Sequence, residues 1–151
     1  MNQELYRQFE MTRGFFVRSI SKISPELVDI QPQGYNNTIH WHIGHVLTVT
    51  EQFLFGKAFA LPGKYVEWFG KGSKPSDWQG DVPSLEELTP ELEKQLLRIK
   101  EIPEEALEQK LENPFLGLET FRELAAMSLF HESNHLGQLH SMKLLLERTQ
   151  N

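Results

Sequence analysis

Apolar positions recur every three or four residues through four long stretches of this chain, and the polar positions between them leave each stretch one dry face. Over residues 2 to 21 that face carries Leu5, Phe9, Phe16 and Ile20, and Pro25 follows the end of the predicted helix. A second helix starts at Asn37 or Thr38, either of which can cap it, and passes through Trp41, His45, Val49 and Phe53 to about Ala60. Pro62-Gly63 closes it. Ser84 with Glu87 three residues later forms a capping box for a third helix, carried by Leu85, Leu88, Leu92, Leu96 and Ile99. Pro90 is expected to kink that helix or delay its start. Thr120 with Glu123 opens the fourth, which runs to about Arg148 with Phe121, Leu124, Ser128, His131, His135, Gln138, Met142 and Leu145 at heptad spacing. Both histidines thus fall on the predicted bundle-facing seam. No segment shows the sustained alternation of a half-buried strand, so the chain reads as all-α, one four-helix-bundle domain over residues 1–151.

The connections refine the topology. Residues 61–83, rich in glycine and proline, are long enough to travel the length of the bundle and let the second and third helices run parallel, a long crossover. Trp68 and Trp78 imply that this connector packs down on something, as a lid or a partner surface. Residues 102–117, with Pro103, Pro114 and Gly117, read as an irregular connector with one short helical turn.

Composition narrows the function classes. An apolar content of 39% with 24% charged residues is that of a globular protein with a real core. A net charge of -6 and the absence of a dense Lys/Arg cluster argue against nucleic acid as a partner. No stretch reaches the roughly 18 apolar residues of a membrane span, so no membrane is expected. The opening residues lack the basic and then apolar order of a signal peptide, and a cytoplasmic location is the expectation. With no cysteine, the chain offers neither a thiolate nucleophile nor a thiolate ligand, so a transition metal would have to sit on His with Asp or Glu.

His131 and His135 stand one helical turn apart and can grip one metal ion. A third ligand must come from elsewhere in the chain. His140 lies five residues past His135, about 140° further round the helix, and points away. His45, on the apolar face of the second helix, is the better candidate, because an unpartnered ring there would be costly. His40 and His42 face other directions, with His42 near enough the seam to be a second choice. The letters His131-Glu132-Ser133-Asn134-His135 also fit the zinc-protease pattern, in which Glu132 would activate water. Gly137 and His140 each come one residue too early for the longer protease signature, and no edge strand is predicted to hold a peptide. Glu132 remains a candidate general base, Gln138 a candidate to orient a ligand, and Trp41 a core residue.

Trp41-His42-Ile43-Gly44-His45 in the second helix and His131-Glu132-Ser133-Asn134-His135-Leu136-Gly137-Gln138 in the fourth resemble the two motifs of the DinB/YfiT superfamily of four-helix-bundle metalloenzymes. The resemblance covers nearly the whole chain, the long connector included. It implies that His45, His131 and His135 are metal ligands, that the ion is zinc, nickel or a similar divalent metal, and that the protein is a homodimer. It also implies kinship with S-transferases that act with small-molecule thiols on electrophilic substrates.

Three imidazoles leave a coordination position open for water or substrate. The expected function is therefore a metal-dependent thiol S-transferase. The alternatives are a hydrolase using metal-bound water with Glu132 as base, or a non-catalytic metal-binding interaction protein.

Overall fold

The computed structural model describes residues 2–149. Its helices are α1 (Asn2–Ser21), α2 (Ile39–Phe55), α3 (Lys64–Phe69), α4 (Leu85–Lys100), α5 (Glu104–Leu107) and α6 (Phe121–Thr149), with two strands, β1 (Lys110–Phe115) and β2 (Leu118–Thr120). The four long helices form the bundle: α2 packs on α6 and α4, and α1 packs on α4 and α6.

Side-chain bonds between helices give their directions. His40 at the start of α2 meets the carbonyl of Pro83 just ahead of α4, and Glu51 near the end of α2 meets Arg98 near the end of α4. These two helices are therefore parallel, and the long crossover joins them. Residues 61–83 run back along α2, and Trp68 and Phe69 are buried against the core there. His42 and His45 of α2 meet His135 and His131 of α6 in reverse order, so α2 and α6 are antiparallel.

The termini obey the local chemistry. Thr38 caps α2, its Oγ1 accepting from Trp41 N at 3.2 Å, and the capping box of Ser84 and Glu87 opens α4. At α6 the Glu123 carboxylate accepts from Thr120 N at 2.9 Å, while Glu123 N donates to Thr120 Oγ1. Three expectations are corrected. Helix α2 stops at Phe55 rather than Ala60, because Gly56 adopts a φ of 37° that a helix cannot continue through. Pro90 does not delay the start of α4, which runs from Leu85 to Lys100 with Pro90 inside it on the exposed side. The connector after α4 does contain a short helical turn, α5, but β1 and β2 then form an antiparallel hairpin pairing Lys110 with Thr120 and Phe115 with Leu118. Its turn residues, Leu116 and Gly117, both have positive φ, the twist that suits a two-residue hairpin loop.

The core has two apolar ends with a polar layer between them. Phe16, Ile20, Leu47, Leu92, Leu139 and Met142 belong to one end, and Phe9, Leu54, Ile99, Ala125 and Leu129 to the other. Between them Arg13, Glu51, Gln95 and Glu132 are almost completely buried. Arg13 bonds the Glu132 carboxylate (Nε to Oε1 2.7 Å, Nη2 to Oε2 3.0 Å), the Leu92 carbonyl and Gln95 Oε1. Gln95 Nε2 in turn donates to Glu51 Oε2 at 2.7 Å, and Arg98 closes the set on Glu51 Oε1. One polar layer thus links all four long helices. It also turns α6 relative to the predicted seam: Glu132, Leu139 and Leu146 take the innermost stripe, and His131, Gln138 and Leu145 move to its half-buried edge.

Candidate metal centre

Antiparallel packing of α2 on α6 gathers four histidines beside the polar layer. His45 Nε2 lies 3.2 Å from His131 Nε2, and His135 Nε2 lies 3.1 Å from that same atom. One nitrogen from each of these three rings falls within 4.8 Å of the others, so all three can reach a common point. An ion held at about 2.0–2.1 Å needs imidazole nitrogens about 3.0 Å apart at right angles and about 3.4 Å apart at tetrahedral angles. The observed separations lie in that interval, and the residues fit a divalent metal.

Electrostatics favour the ligating form. His45 and His135 are buried and His131 is half-buried, giving the site one side nearer to solvent. Burial, opposed by the bond to Phe69 and reinforced by His131, lowers His45 to about 4. Burial and then the neighbouring imidazoles lower His135 to about 2, and burial lowers His131. All three rings are therefore neutral near pH 7, with lone pairs available to a cation rather than lost to protons.

The surroundings orient the rings. His45 Nδ1 donates to the carbonyl of Phe69 at 2.6 Å, which leaves Nε2 as its lone-pair nitrogen. The connector reaches this position because Gly44 has no side chain: a Cβ there would lie 2.2 Å from the Phe69 ring. The Trp41 ring stacks on His45 with centroids 4.3 Å apart and 16° between planes, and its Nε1 donates to Ser73 of the connector at 2.9 Å. Trp41, read from the sequence as a core residue, is buried and is also a wall of the site. On the other side Phe53 stands edge-on to His131, and Phe115 from the hairpin packs on Phe53.

Of the candidate residues, the structure brings His45, His131 and His135 together. It does not bring Glu132 to them. That side chain is fully buried, both carboxylate oxygens bond Arg13, and it does not belong to the metal-competent group. Among the described residues Gln138 makes no hydrogen bond to any of the histidines and lies half-buried, and His140 is exposed, as its angle on the helix requires. His40 faces elsewhere, between Asp29 Oδ1 and the Pro83 carbonyl. His42, the second choice for a ligand, is not among the three rings that share a common point, but it adjoins them, its Nδ1 2.7 Å from His135 Nδ1. The signal was its spacing of three residues from His45, which puts the two on one side of α2.

The family model of the DinB superfamily matches the chain over residues 8–139. No curated protein matches it.

Proposed function

The chain belongs to the DinB superfamily, and from that premise we propose that it is a metal-dependent thiol S-transferase in which His45, His131 and His135 hold a divalent transition metal ion, zinc or nickel. The observation that carries this reading is the convergence of three neutral Nε2 atoms, two contacts of 3.1 and 3.2 Å about His131, with no carboxylate in the group. Three ligands leave a position free for a reactant. An ion bound there supplies Lewis acidity that lowers the pKa of a thiol or of water.

The chain's own residues prepare and enclose that position. Phe69 fixes the ring of His45, Trp41 covers one face of it, and Phe53 with Phe115 forms an aromatic rim beside His131. With no cysteine in the sequence, the sulfur must come from a small-molecule thiol. In the reaction the thiol releases its proton to solvent and a carbon–sulfur bond forms as the bond from that carbon to its leaving group breaks. Hydrolysis would instead need a general base near the open position, and the engagement of both Glu132 oxygens by Arg13 favours the transferase reading over it. We include a homodimer in the proposal, as the resemblance to the superfamily implies.

Elemental analysis of protein purified without chelator tests the metal. About one divalent ion per chain is expected, lost in His131→Ala and His135→Ala. Metal-loaded protein is then assayed for conjugation of a panel of small-molecule thiols to reactive electrophiles. Failure with every thiol, together with turnover of esters or amides, would replace the transferase reading with hydrolysis.

A further inference from the structure

We propose that His42 is a positioning residue of the metal centre: its Nδ1 accepts the Nδ1 hydrogen of His135 and so holds the His135 Nε2 lone pair toward the metal position. Its purpose rests on the reading above, and its geometry rests on a count of hydrogens along a chain of four contacts. The count begins at Phe69, because a carbonyl only accepts, so the 2.6 Å contact requires the hydrogen of His45 to be on Nδ1. A neutral imidazole has one such hydrogen, and His45 Nε2 therefore presents a lone pair to His131 Nε2 at 3.2 Å. That approach is attractive only when His131 carries its hydrogen on Nε2. In agreement, His131 Nδ1 is buried and has no hydrogen-bond partner among the described residues.

With a hydrogen on His131 Nε2, the 3.1 Å approach of His135 Nε2 admits only a lone pair, since two N–H groups would otherwise face each other. His135 must then keep its hydrogen on Nδ1, and the 2.7 Å contact runs from His135 Nδ1 to His42 Nδ1. His42 carries its own hydrogen on Nε2. His42 is itself buried, and the Trp41 ring stands edge-on against it at 5.1 Å, which fixes the acceptor in place. Two of the three ligands are thus oriented in advance by different devices, His45 by a backbone carbonyl and His135 by a second imidazole. Placing a metal at the three Nε2 atoms requires only His131 to move its hydrogen. His42 is not a fourth ligand in this arrangement, because it faces the nitrogen of His135 that points away from the metal position.

Long-range nitrogen–proton NMR of the metal-free protein reads these tautomers directly. The expected result is an Nδ1–H tautomer for His135 and an Nε2–H tautomer for His42, and the reverse pair would overturn the proposal. Zinc affinity, measured by competition with a chromophoric chelator, tests the consequence. His42→Phe, checked for folding by circular dichroism, should bind zinc about 10–100-fold more weakly, the usual cost of losing a partner of a ligand. His42→Asn, whose side-chain oxygen can take the same hydrogen, should recover most of that loss. A parent that binds zinc while His42→Phe binds it equally well, or an Asn variant as weak as the Phe variant, would refute the positioning role alone. A parent with the expected tautomers and no zinc uptake would overturn the metal-centre reading together with the role given to His42.

Discussion

Two adjacent residues of α6 face different environments. His131 turns to the half-exposed histidine cluster, and Glu132, about 100° further round the helix, enters the driest layer of the bundle. There it meets Arg13, which is 119 residues away in sequence and 1% exposed. Removing one partner of such a pair leaves the other charge buried without compensation, a loss of about 3–5 kcal/mol. Glu132→Ala is therefore expected to lose about 3–5 kcal/mol in urea unfolding, while the folded fraction still takes up metal. Unchanged stability with abolished turnover would return Glu132 to catalysis. The pattern H-E-x-x-H could not distinguish these roles, because sequence spacing fixes which residues share a helix face and says nothing of which face another helix covers.

At the scale of elements, the connector between α2 and α4 is part of the site as well as a crossover. Phe69 ends α3, its ring fills the space left by Gly44, and its carbonyl holds His45. Glycine at position 44 is thus required by the close approach of another element. Gly44→Ala forces the Phe69 ring away, since a Cβ would sit 2.2 to 2.5 Å from three of its atoms. The variant is expected to lose about 1–3 kcal/mol of stability from overpacking, and about tenfold or more in metal affinity from loss of the His45 partner. Chelator competition checks the affinity and urea unfolding the stability. Full affinity in the variant would show that the connector does not set His45. The hairpin of β1 and β2 was the element least legible beforehand: Lys110–Phe115 contains Asn113 and Pro114, is mostly exposed and has no alternating pattern, so nothing local announced a strand.

At the scale of the whole molecule, the proposed centre spans only α2 and α6, but the polar layer beside it joins all four long helices. Metal held by His45, His131 and His135 should therefore stabilise the entire cooperative unit. At a free metal concentration about 100 times Kd the gain is about 2.7 kcal/mol, a rise in Tm of about 5–11 °C for a chain of this size. Calorimetry with zinc and with excess chelator checks this, and coincident transitions would argue against a site linked to folding. The sequence by itself determined the four long helices, their caps, the long crossover and the three ligand candidates. Those features follow from periodicity, hydrogen-bonding side chains and loop length, which are local. It also carried the two family motifs. Only the tertiary structure decided how far α6 is turned, and so that Glu132 faces Arg13 and His42 faces His135. The stripe through His131 and the stripe through Glu132 share Ser128, His135 and Met142, so the heptad pattern of α6 suits either orientation. The choice between them lies with a guanidinium on another helix that must be paired once it is buried, a condition that exists only after the helices have packed.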